Sequence, residues 1–167
     1  MHHKDDAIRR AEIYAEQKGL TLDRELGEGS NGVVCAAKGL FSNSCHSAIK
    51  SCEREGVYAR ERDVYLRLLD KQITRIRGCE VPKLLGYDDD LWVIEMTIVN
   101  RPFCLDFGGA YLEKPPDFSE EVMADWEAEK IEQFGKYWPE VKLIIAVLQV
   151  HGIYLMDVHP KNISFEP

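Results

Sequence analysis

Apolar residues recur with two different periods along this chain, and the changes of period divide it. Ile8, Ala11 and Ala15 share one helical face, which predicts a helix over 7–18, capped by Asp5 or Asp6 and closed by Gly19. Leu20, Leu22, Arg24 and Leu26 follow with the alternation of a strand. After the glycines that follow, 33–37 and 48–51 read as two more strands, separated by a Phe41–Ser44 turn. Val57, Val64, Tyr65 and Leu68 then mark one face of a helix over 53–69. Gly78–Pro82 is a break, 81–87 a short strand, Asp88–Asp90 a turn and 91–96 a buried strand. Pro102, Pro115 and Pro116 predict an irregular stretch. Ser119, with Glu120 and Glu121 behind it, starts a helix reaching about Tyr137. Pro139 opens another, carrying Val141, Ile144, Ile145 and Leu148 and ending at His151-Gly152.

Composition narrows the function classes. The 167 residues carry a formal net charge of −8, so no basic face for nucleic acid or an anionic membrane is expected. Any positive charge that meets a phosphate must be local. The five cysteines (Cys35, Cys45, Cys52, Cys79, Cys104) include no C-x-x-C pair, which fits a reducing cytosol. The polar start of the chain lacks the apolar core of a signal peptide, and no apolar run is long enough to span a bilayer. A cytoplasmic protein is expected.

The residues with chemistry begin at "LGEGSNGVV". Gly27, Gly29 and Gly32 stand in a G-x-G-x-x-G frame. Such a loop lets backbone N–H groups approach a phosphate chain, but it can equally be a tight hairpin turn. Because it lies between two predicted strands, it cannot be the dinucleotide fingerprint, which opens a helix. It also lacks the G-K-[ST] of a Walker loop.

Motif by motif and in order, the chain resembles the protein-kinase-like superfamily. Gly27 to Val34 is similar to the glycine-rich loop, and Ala48-Ile49-Lys50 to the strand whose lysine meets the α- and β-phosphates of ATP. Glu61 in "RERDVYLRLL" matches the helix glutamate that pairs with that lysine. In "LWVIEM", Ile94 matches the residue behind the adenine pocket. The resemblance gives adenine hydrogen bonds to the Glu95 carbonyl and the Thr97 N–H. Asp157-Val158-His159-Pro160-Lys161-Asn162 is similar to the catalytic loop, with Asp157 accepting the acceptor's proton and Asn162 holding Mg²⁺. The implied fold is α+β and two-lobed. It has an N-terminal helix over 1–19, a lobe over 20–97 with a five-stranded antiparallel sheet and an αC-type helix, and a much reduced helical lobe over 98–167.

The resemblance implies an ATP- and Mg²⁺-dependent phosphotransferase acting on a hydroxyl of unknown source. Its partners would be the nucleotide and an unidentified acceptor or protein. Several residues depart from the pattern. Leu155 and Met156 stand where H-R is usual. His159 replaces a lysine; D-x-H-P-x-N is closer to aminoglycoside and choline kinases, although His159 also serves as a loop-fixing residue. No D-F-G aspartate follows Asn162 in the remaining five residues. Without that metal ligand, the alternative is a pseudokinase, a nucleotide-sensing or scaffold module. Asp106-Phe107-Gly108 occurs before the catalytic loop and reads as a coincidental turn; the competing reading gives Asp106 the missing role, with Glu166 as a weaker substitute.

Overall fold

The computed structural model describes residues 2–165, with side chains from Lys4 onward. Helix α1 (His2–Gln17) leads into β1 (Leu20–Gly29), β2 (Gly32–Gly39), β3 (Ser47–Cys52) and helix α2 (Glu55–Asp70). Short strands β4 (Arg75–Ile76) and β5 (Cys79–Glu80) precede β6 (Leu84–Asp88) and β7 (Val93–Met96). Then come β8 (Phe103–Cys104), β9 (Ala110–Leu112), α3 (Glu120–Phe134), a 3₁₀ turn and α4 (Trp138–Val150). Strands β10 (Ile153–Leu155) and β11 (Ile163–Ser164) complete the described chain. Among the described residues no helix is long and apolar enough to cross a membrane.

The architecture is α+β. Its main sheet has five antiparallel strands in the order β1-β2-β3-β7-β6, which agrees with the sheet expected from the sequence. Strand β3 is buried at every position because it is central and covered on both faces. Ala11, Tyr14 and Ala15 of α1 pack on one face with Ile49 and Val93. On the other, Val57, Tyr58, Val64, Tyr65 and Leu68 of α2 join a core that runs through Phe107 into α4.

Several boundaries moved. Helix α1 starts at His2, so Asp5 lies in its first turn rather than capping it. The stretch expected to be irregular holds β8 and β9, and the break at Gly78 is the tip of a β4–β5 hairpin. Strands of two or three residues carry too little periodicity to be read from sequence. Ser119 does cap α3, accepting the Val122 N–H at 3.2 Å. Helix α3 ends at Phe134, short of the expected Tyr137, where Gly135 adopts positive φ.

Candidate active site

Lys50 lies directly across from Val34 on β2 and Ile94 on β7, so all three side chains share the sheet face turned toward α2. On that helix Glu61 is spaced with Val57, Val64, Tyr65 and Leu68, which places a carboxylate in the middle of an apolar, fully buried face. A buried carboxylate needs a cation. Lys50 Nζ supplies it, 2.7 Å from Glu61 Oε2 and 3.0 Å from Oε1.

The same Lys50 Nζ lies 2.9 Å from Asp106 Oδ1. This corrects the reading of Asp106-Phe107-Gly108 as a coincidental turn. Asp106 has φ of +65°, a left-handed conformation that a short polar side chain tolerates, and its Oδ1 accepts the Gly108 N–H. Phe107 is fully buried, edge-on to Tyr65 with centroids 5.4 Å apart, and its N–H donates to Glu61 Oε1. Glu61 therefore holds both the lysine and the turn that carries Asp106. Glu166, the other substitute considered, lies outside the described residues.

Two short ladders bring the segment that holds Asp157 and Asn162 to this turn. Strand β8 pairs with β11, Cys104 opposite Ile163, and the Leu105 N–H donates to the Asn162 carbonyl at 2.8 Å. Strand β9 pairs with β10, Ala110 opposite Leu155. Asn162 is buried and donates through Nδ2 to the Asp157 carbonyl at 3.2 Å. A Cβ on Gly109 would come within 2.8 Å of the Asp157 Cβ, so glycine is what allows this approach. The Asp157 side chain itself stays 41% exposed. His159 Nδ1 accepts the Lys161 N–H, so a neutral ring carries its proton on Nε2, 3.8 Å from Asp157 Oδ1.

The charges follow from these contacts. Burial works to lower the Lys50 ammonium, but the Glu61 and Asp106 carboxylates outweigh it and hold its pKa above the usual value. Burial works to raise the Asp106 carboxyl, and the Lys50 charge and Gly108 N–H overcome it, holding Asp106 below the usual carboxylate range. Burial pushes the Glu61 carboxyl up, opposed by Lys50.

The glycine stretch is a two-residue hairpin, Ser30-Asn31, closed by the pair Gly29 and Gly32. At Gly32, with φ of +143°, a Cβ would lie 2.2 Å from the Ser51 carbonyl oxygen, so close backbone packing demands glycine there. Gly27 and Gly29 face open space. At the stretch Glu95-Met96-Thr97, which the resemblance reads as the hinge, Ala48 pairs with Met96. Glu95 points to the opposite face, where its Oε2 accepts from the Tyr14 hydroxyl. The Thr97 N–H, assigned to adenine by the resemblance, is donated to the Lys83 carbonyl at 2.9 Å. Asp106, weighed as the competing reading of this turn, lies between β8 and β9, whose two and three residues are too short to show a period in the sequence.

The donor set suits a nucleotide–Mg²⁺ pair. Asp106 Oδ2, on the carboxylate paired with Lys50, and Asn162 Oδ1, on the residue whose carbonyl accepts the Leu105 N–H, are oxygen acceptors without a hydrogen bond to the described residues. Among the described residues no group of three or more His, Cys, Asp or Glu is gathered for a metal. A divalent ion here therefore needs phosphate oxygens and water to complete its shell, which is how Mg²⁺ is usually bound.

No protein-family model matches the chain, and no curated protein does. Among solved structures it is similar to the kinase domain of PknI from Mycobacterium tuberculosis. A double-mutant form matches at 20% identity and a TM-score of 0.32, over 66% of this chain and 45% of that domain. A single-mutant form matches at 19% identity and 0.31, with the same coverage. The chain thus spans less than half of that kinase domain, and a likeness of this size carries no argument about its activity.

Proposed function

We propose that this protein binds MgATP at the Lys50–Asp106 centre and transfers the γ-phosphoryl group to a hydroxyl acceptor. The observation that supports this most is the double ion pair: one buried lysine between Glu61 and Asp106, with Asn162 one ladder step from that aspartate. Structural ion pairs are common, but here a half-exposed aspartate, Asp157, opens beside the buried set. Lys50 is fixed by Glu61 with its charge ready to meet phosphate oxygens. Asp106 and Asn162 are the residues that would hold Mg²⁺. That ion, when bound, offsets phosphate charge that the lysine alone cannot. Asp157 is free to accept the acceptor's proton, with His159 Nε2–H beside it to orient its carboxylate. Positioning and electrostatics carry the reaction in this scheme.

On this reading Asp106 takes the role whose absence was the main ground for the pseudokinase alternative; its ion pair with Lys50 supports that. The engaged Thr97 N–H favours the scaffold form of that alternative, because an adenine there must break its bond to Lys83 or use a neighbouring group. Calorimetric titration with ATP, with and without Mg²⁺, separates the two. The proposal expects Mg²⁺-dependent binding that weakens about tenfold or more in Asp106→Asn, as for loss of a charged ligand. ATP binding that ignores Mg²⁺ and the Asp106 change would leave a nucleotide sensor. No binding at all would leave a scaffold.

A further inference from the structure

The tip of the glycine hairpin reaches the Asp106 turn. Asn31 Nδ2 lies 3.2 Å from the point where a Cβ on Gly108 would stand. That same point is 3.0 Å from Val57 Cγ1 and 3.4 Å from Glu61 Oε2. The Asn31 amide thus sits two residues from Asp106 and beside the carboxylate that holds Lys50. It is half-buried, and its side chain has no hydrogen-bond partner among the described residues. Only its backbone is tied, the Asn31 carbonyl accepting the Glu53 N–H. An amide left unpaired beside the turn that carries Asp106 is a donor open to an acceptor.

We propose that Asn31 is a phosphate-contacting residue that reads the terminal phosphoryl group of the nucleotide. This rests on the nucleotide-binding reading above and adds how the hairpin distinguishes a triphosphate from a diphosphate. The hairpin carries few side-chain donors of its own: Gly27, Gly29 and Gly32 have none, and Glu28 is ion-paired outward with Lys4. Asn31 is the hairpin residue whose amide reaches the Gly108 turn, and a neutral donor there adds a hydrogen bond to a phosphate oxygen beside the charge that Lys50 supplies. Its N–H₂ would donate to a γ-oxygen while its carbonyl stays turned away from the phosphate.

The test is titration of the full chain with ATP and with ADP in Mg²⁺, for the native protein, Asn31→Ala and Asn31→Ser. The native protein should bind ATP more tightly than ADP. In Asn31→Ala the ATP affinity should fall about tenfold while ADP affinity stays within about twofold. Asn31→Ser, which keeps a donor and suits a turn, should recover part of the difference. Melting temperatures near the native value would show that the hairpin still forms; if Asn31→Ala unfolds, the serine variant alone carries the ATP-to-ADP comparison. Equal losses for both nucleotides, or none, would overturn the proposal. A gain in affinity would also overturn it, since Asn31 would then be obstructing the cleft. A native protein that binds neither nucleotide would remove the nucleotide-binding reading itself.

Discussion

Lys50 meets Glu61 across 11 residues of chain and Asp106 across 56. The first contact belongs to a region, 20–96, where neighbours in sequence are mostly neighbours in space. Strands β1, β2 and β3 follow one another into the sheet, and α2 returns directly over β3. The second contact belongs to residues 101–164, where the order in space differs from the order in sequence. There β8 and β9 leave the chain early, and their partners β11 and β10 arrive only after two helices. A charged centre is therefore assembled half from local connection and half from distant pairing. The comparison teaches that a motif's meaning lies in what it touches: Asp106 precedes the segment 157–162 yet its turn lies beside it.

The sharpest way to break this comparison is to detach the distant half. Phe107 is fully buried against Tyr65, so Phe107→Ala should cost about 3–5 kcal/mol in denaturant unfolding. A loss below about 1 kcal/mol would mean that the 101–112 segment sits loosely on α2. Next in size is the coupling itself. A double-mutant cycle with Lys50→Met and Asp106→Asn should give a coupling energy of about 0.5–3 kcal/mol, smaller than the same cycle on Lys50 and the fully buried Glu61. Coupling near zero for Asp106 would leave Glu61 as the lysine's one energetic partner.

The smallest expected effect is the dependence on pH. Asp106 is held below its ordinary pKa in the fold, so the unfolded chain binds its proton first as pH falls. The stabilisation it gives is complete above the ordinary aspartate value of about 4 and is lost as pH drops through that value toward the folded one. Asp106→Asn should therefore be less stable than the native protein at neutral pH, with the gap closing in acid. Unfolding curves at a series of pH values read this directly, and a gap that widened in acid would reverse the assignment.

Much of the first region was legible. Lys50, Glu61 and the glycines were found because their motifs lie in order, and the five strands because each is long enough to show its period. Ser119 was found as a cap because capping is local. The second region was not. Strands β8 to β11 are two or three residues long and owe their existence to pairing partners far along the chain, which no window on the sequence contains. For the same reason Asp106 was discounted: its neighbours in sequence gave a turn, and its neighbours in space, Lys50 and the Asn162 segment, lie far along the chain. The adenine contact was assigned to the Thr97 N–H by analogy of motif, whereas that N–H is donated to the Lys83 carbonyl just beyond the ends of β6 and β7.

The pairing of β8 with β11 also sets the order in which the molecule can form. Helices α3 and α4 together are the loop that this ladder closes, and closure of a long loop is a late and entropically costly event. The sheet with Lys50 and Glu61 is free to form first; Asp106 and Asn162 meet only once both helices have folded back. The amide hydrogen of Leu105, donated to the Asn162 carbonyl, should thus be among the last to gain protection during refolding. A lesion anywhere in α3 or α4, however far from Lys50, would delay the moment at which the centre becomes whole.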